Sequence, residues 1–232
     1  MTEAADGVIK YRPVHTHATF SRALDTVFPP DLPSGRRELE RQAWEDRCRQ
    51  HLAELDKLRT WLHDCRLIGL SDGIGYGNLS LPLTETAFAI SGSGTGGARI
   101  LGEEGYAVVY RVSPAGNEVH SIGPVRASSE SMTHAAVYRA LAKMHMLLPS
   151  HCVIHVHSRK LFEHWLPLAP GTPPEIPYGT PELARAVYDE LLRANRPEGF
   201  LVLAGHRDGL LFWAPDLTRG KDIVLNAMTF GH

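Results

Sequence analysis

Val153-Ile154-His155-Val156-His157-Ser158 is an apolar run that arrives at two histidines one residue apart, with a hydroxyl residue behind them. In a β-strand successive side chains point to opposite faces, so residues two apart share a face. The stretch therefore predicts a strand over about 152–158. His155 and His157 project from it side by side, and Val156 turns into the packing behind them. Two imidazoles held parallel on a rigid strand are a natural beginning of a metal site.

The neighbouring segments alternate between helical and extended patterns. Before the histidine strand, Ser128-Ser129-Glu130 opens a helix to about Leu147, with Ser128 or Ser129 as N-cap and Glu130 in the first turn. Tyr106 to Val112 and Glu118 to Ile122 read as two strands joined by the turn Ser113-Pro114-Ala115-Gly116-Asn117, which makes part of the sheet antiparallel. Phe88-Ala89-Ile90 is a short strand, and another begins at Asn78. Each adjoins a glycine-rich loop, Ser71 to Ser80 and Ser91 to Gly97. Neither loop is a P-loop, because both lack the Lys-Ser/Thr ending.

After the histidine strand comes a proline-rich loop, Pro167 to Pro177, and then a helix over 181–194 with Thr180 as cap and Pro181 at its first position. Phe200 to Ala204 is an apolar strand ending at Gly205-His206-Arg207-Asp208-Gly209. Leu210 to Trp213 is its hairpin return, and Asp216 or Thr218 caps a last helix through Met228. Near the start, Leu39, Trp44, Leu52, Leu55, Leu58, Trp61 and Leu62 recur at helical spacing between Arg36 and Leu67. Residues 1–35 carry four prolines and little periodicity. They read as an arm, preceding a domain over 36–232 and packed on a neighbouring subunit. This order of elements predicts an α/β fold with a central mixed sheet covered by helices.

The 232 residues suit one large domain with an extension. A net charge of -2 points away from nucleic acid and anionic membranes. The apolar runs are too short to span a bilayer, and the acidic N-terminus lacks a secretory h-region, so the expected location is the cytoplasm. Cys48, Cys65 and Cys152 are scattered and odd in number, which argues against a disulfide framework.

Catalytic zinc sites use three protein ligands and keep one position open. His155 and His157 supply two. Among the other histidines, His206 has the best position, at the end of the apolar strand 200–204. His145, His151, His120 and His232 are placed worse. Solvent-facing strand histidines stay open as the plain alternative at this point. Glu130 begins the helix that leads directly into the histidine strand, so it can come close to His157 and act on protons. The adjacent serines, with free helix N–H groups, make an anion cradle that the two glycine loops can complete.

These pieces, taken together, resemble the class II aldolase/adducin family. The matching residues are Gly77-Asn78-Leu79-Ser80, Ile90-Ser91-Gly92-Ser93-Gly94, Ser128-Ser129-Glu130 with His134, His155-Val156-His157-Ser158, and Gly205-His206 with Gly209-Leu210. The resemblance implies a three-layer α/β/α fold around a mixed, largely antiparallel sheet. It implies a divalent metal on His155, His157 and His206, usually zinc, with manganese or cobalt as other candidates. Glu130 is similar to the family's catalytic acid/base. Gly77, Asn78, Ser93, Gly94, Ser128 and Ser129 match positions that hold a substrate phosphate, and relatives are often homotetramers.

Two departures stand out. Arg207 and Asp208 intervene before Gly209, where the family commonly has His-Gly, which can shift His206 or bring a new carboxylate into the site. Tyr178 is the nearest candidate for the tyrosine that protonates the leaving enolate. The expected function is a metal-dependent aldolase cleaving or forming a C–C bond in a small sugar phosphate or hydroxy-keto substrate through a metal-stabilised enediolate. The alternatives are an epimerase or dehydratase on the same chemistry, or a non-catalytic adducin-like assembly domain. Arg126 and Arg207 are candidate partners for a carboxylate or phosphate.

Overall fold

A computed structural model describes residues 10–28 and 37–230 of the chain. In chain order its elements are β1 (Arg12–His17), α1 (Phe20–Val27), α2 (Arg37–Asp64), β2 (Gly69–Ser71), β3 (Ile74–Tyr76), β4 (Asn78–Pro82), β5 (Phe88–Ser91), β6 (Tyr106–Ser113), β7 (Glu118–Gly123), α3 (Ser131–Lys143), β8 (Cys152–His157), α4 (Arg159–Trp165), α5 (Pro181–Ala194), β9 (Gly199–Val202), β10 (Gly209–Ala214) and α6 (Leu217–Phe230). Among the described residues an eight-stranded sheet runs in the order β1-β7-β6-β5-β4-β8-β10-β9, and β2 and β3 form a separate hairpin. Every pairing in the large sheet is antiparallel except β1 with β7. The sheet is mixed and largely antiparallel, as the sequence predicts.

Two apolar cores lie on opposite faces of this sheet. Cys152, Ile154 and Val156 of β8 enter one core with residues of α1, α2 and α6, while Val153 enters the other with residues of α3 and α5. His155 and His157 share the face of Val153 by the two-residue period. So do Asn78 and Ser80 of β4, whose alternate residues Leu79 and Leu81 point into the first core. One sheet face thus carries a polar strip where α3 begins. Ser80 Oγ is within 2.7 Å of His134 Nδ1 and 2.6 Å of Tyr138 Oη, so part of that strip is satisfied by α3 itself.

Helix starts follow local chemistry. Thr180 Oγ1 accepts from Leu183 N, with Pro181 in the first turn. Asp216 Oδ1 accepts from Arg219 N, which selects Asp216 over Thr218 as the cap of the last helix. The start of α3 departs from expectation. Glu130, not either serine, occupies the N-cap position, within a turn over residues 128–131 in which Ser131 N donates to Ser128 O. Its end comes at Lys143 rather than Leu147, since His145 adopts φ 57° and Met146 N folds back onto Leu141 O.

Within residues 10–28 the expected arm contains two regular elements, β1 and α1. β1 adds the edge strand of the sheet, and α1 buries Phe20, Ala23 and Leu24 in this chain's own core. The expectations for Pro29, Pro30, Pro33, Ser34, Gly35 and His232 lie outside the described residues. Phe20 is 1% exposed, so Phe20→Ala is expected to destabilise the protein by about 3–5 kcal/mol in urea denaturation. A residue on a detached arm would change stability by less than about 0.5 kcal/mol. No helix among the described residues is long and apolar enough to cross a membrane.

Candidate metal centre

β8 and β10 pair with His157 opposite Gly209 and His155 opposite Leu211, which carries the β9–β10 turn and its His206 up against the histidine pair. The turn is closed by His206 N donating to Leu203 O and Gly209 N to His206 O. One ring nitrogen from each of His155, His157 and His206 lies within 4.8 Å of the others. His155 Nε2 and His157 Nε2 are 3.0 Å apart. Two nitrogens bonded to one tetrahedral zinc at about 2.05 Å would stand about 3.3 Å apart, so this spacing suits a shared cation.

Protonation state points the same way. His155 Nδ1 donates to the Leu210 carbonyl at 3.1 Å, which leaves Nε2 with its lone pair toward the cluster. Burial lowers the His155 pKa to about 4. Burial first, and then the neighbouring imidazoles, hold His157 and His206 well below the usual histidine range. All three are neutral at neutral pH, the form that binds a metal. The donor set and its geometry fit a divalent cation of the zinc class.

Glu130 reaches this cluster from the start of α3. It is 1% exposed, and its Oε1 lies 3.8 Å from His206 Nδ1. Thr133 Oγ1 donates to the other carboxylate oxygen at 2.6 Å and fixes the carboxyl plane from the first turn of the helix. Glu130, the three histidines, Gly77, Asn78, Ser93, Gly94, Ser128 and Ser129 all line one cavity of about 240 Å³. The glycine loops let this cavity form. Gly77 adopts φ 74°, and a Cβ there would crowd Ile68 and the His155 carbonyl. Gly96 packs so closely on Gly75 that a Cβ would collide with the Gly69 carbonyl. Asn78 Oδ1 is buried without a hydrogen-bond partner among the described residues. Nor does any hydrogen bond among them take up the backbone N–H of Gly94, Gly96 or Ser129. The cavity lining thus carries uncommitted backbone N–H donors together with one uncommitted acceptor, Asn78 Oδ1.

Arg207 and Asp208 do not enter it. They line an adjoining cleft on the far side of His157, together with Arg66 and Arg159, so the inserted carboxylate is corrected to a place outside the cavity. Asp208 takes a left-handed φ of 62°, and its carbonyl accepts from Ser158 N, which absorbs the extra residues without displacing His206. Arg126 likewise faces away, in a cleft with His15 and His17, although its carbonyl accepts from Ser93 N. Tyr178 lies outside the cavity lining, its ring stacked on His206 at 4.6 Å between centroids. Ser158 serves as the N-cap of α4, its Oγ accepting from Leu161 N.

Residues 66–225, more than half of the chain, match the family model described as Class II Aldolase and Adducin N-terminal domain. The chain belongs to the class II aldolase and adducin family. The fold of this family member is also that of solved structures. An L-fuculose-1-phosphate aldolase from Thermus thermophilus superposes with a TM-score of 0.58 at 20% identity, covering 77% of this chain and 89% of the other. Another L-fuculose 1-phosphate aldolase gives 0.53 at 23% identity, covering 77% and 81%. A sugar-phosphate aldolase from Thermotoga maritima gives 0.54 at 15% identity, covering 80% and 98%. At these identities the likeness establishes the fold and not the substrate. A comparison with curated proteins gave no match. β1, α1 and α2 of this class II aldolase-family chain lie outside the matched residues, yet β1 and α1 complete the sheet and core.

The cavity also includes Gly73, Ile74, Gly75, Tyr76, Gly92 and Gly96. Tyr76 escapes a reading of the loop as glycine-rich, but its ring lies 5.6 Å from that of His157. The Asp72-Gly73 pair was the available signal, since it is a favoured hairpin turn that places β3 beside the site.

Proposed function

We propose that this protein is a divalent-metal-dependent lyase of the aldolase type, acting on a small hydroxy-carbonyl substrate with an anionic end, a sugar phosphate above all. The observation that carries this reading is the convergence of three neutral imidazoles, one buried carboxylate and the serine- and glycine-rich loops on a single cavity. His155, His157 and His206 would hold the cation, which when bound supplies Lewis-acid stabilisation of negative charge on neighbouring substrate oxygens. Glu130 moves the proton at the carbon next to the substrate carbonyl, from a position fixed by Thr133. Ser128, Ser129, Asn78 and the Gly94 amide hold the anionic end and set which carbon faces Glu130. Zinc as the ion, a homotetramer as the assembly and the cytoplasm as the location belong to the same proposal.

The test is product analysis after incubating metal-loaded protein with a panel of phosphorylated and free ketoses and hydroxy-keto acids. Two carbon fragments from one substrate support the proposal. A single isomer would assign an epimerase instead, and loss of water a dehydratase. No turnover across the panel, with metal bound, would favour the non-catalytic reading.

A further inference from the structure

The cavity's anion-holding residues carry no positive charge, yet a cation stands directly behind them. Arg59 of α2 is 1% exposed, the largest fully buried side chain among the described residues. It forms no ion pair within 4.0 Å there. Its donors go instead to three backbone carbonyls of one loop. Nη1 donates to Ala98 O at 2.7 Å and to Arg99 O at 3.2 Å, and Nη2 to Thr95 O at 2.9 Å. This is the loop that carries Ser93, Gly94 and Gly96 into the cavity. Asp56, one turn earlier on α2, holds the end of the loop by accepting from Leu101 N, Gly102 N and Tyr106 Oη.

The geometry has an electrostatic consequence. A trans peptide points its C=O and its N–H in opposite directions. With the Thr95 carbonyl turned to the Arg59 guanidinium, the N–H of Gly96 turns away from α2. Gly96 lines the cavity, and its N–H enters no hydrogen bond among the described residues. The guanidinium therefore orients the loop dipole with its positive end toward the cavity and adds a buried positive charge behind it. Burial disfavours the Arg59 charge, and Tyr106 and the buried Asp56 nearby offset only part of that cost. An anion across the loop offsets more of it.

We infer that Arg59 is a positioning residue for the anion-holding side of the cavity, making the site selective for a dianionic phosphoryl end through the Gly96 amide. This rests on the proposed function above and goes beyond it by naming the source of the charge. Arg59 lies on α2, outside the residues matched by the family model.

The probe is inorganic phosphate, titrated calorimetrically into the zinc-loaded full-length protein, Arg59→Met and Arg59→Lys. The expected result is phosphate binding to the wild type, a loss of about tenfold or more in Arg59→Met, and an intermediate value in Arg59→Lys, which keeps the charge but not the fork. Zinc stoichiometry stays the same in all three, and in turnover the defect falls on KM for the phosphorylated substrate rather than on KM for its unphosphorylated analogue. Equal phosphate affinity in wild type and Arg59→Met overturns the inference while leaving the proposed function standing. A wild type that binds zinc but no phosphate removes the anionic end from the proposed function, and the inference with it. Should Arg59→Met fail to fold, the Gly96 amide resonance of the wild type decides. A phosphate-dependent shift supports the inference, and no shift overturns it.

Discussion

Glu130→Gln is expected to lower turnover by about 10²–10⁴-fold while the bound metal is retained. The replacement is nearly isosteric. Its amide oxygen can still accept from Thr133 Oγ1, so the side chain keeps its position at the start of α3. What it loses is the capacity to take up and return a proton. The three imidazoles are untouched, so metal content should match the wild type. Steady-state kinetics with metal analysis on the same preparation checks both halves. Unchanged turnover with retained metal would remove Glu130 from the proton-transfer role. Loss of metal would instead make Glu130 a part of the binding site, for which its 3.8 Å approach to His206 gives a route.

The second large effect concerns the cluster. His155→Ala is expected to weaken metal binding by more than the roughly 10–100-fold typical of losing an outer-shell partner, and to abolish activity with it. His155 is fully buried and its Nδ1–H satisfies the Leu210 carbonyl. The substitution should therefore also cost about 1–3 kcal/mol of stability. His157→Ala separates the two effects, because His157 lies at the strand end and is only partly buried. It should lose metal and activity with little change in the metal-free melting temperature. Calorimetric titration of zinc into each variant, with thermal unfolding alongside, makes the comparison. Wild-type zinc affinity in both variants would contradict the ligand assignment.

The features legible in the sequence are those set by local chemistry. The two-residue period of β8 placed His155 and His157 on one face, and the Thr180-Pro181 pair set the start of α5 to the residue. The ten candidate site residues meet at one cavity because most of them sit at strand or helix ends, where sequence punctuation is strongest. The features that escaped depend on distant partners. β1 reads Arg-Pro-Val-His-Thr-His, with no buried face of its own, and its place comes from parallel pairing with β7 more than 100 residues later. α1 did carry a signal, Phe20, Ala23 and Leu24 at helical spacing, but over only eight residues. Arg59 gave none. An arginine in an amphipathic helix is ordinary, and only the fold shows that loop 95–99 wraps around its guanidinium. The Arg207–Asp208 insertion looked disruptive in sequence, but a single left-handed residue, Asp208, accommodates it.

The central claim is that His155, His157 and His206 bind one divalent metal on which the chemistry depends. The most direct measurement is the metal content of the full-length protein by mass spectrometry, after zinc loading and exhaustive removal of free ion, with activity followed through chelation and readdition. The expected result is one divalent ion per chain, with activity that disappears on chelation and returns with the ion. A protein that retains no stoichiometric metal, or whose activity survives complete removal, would contradict it.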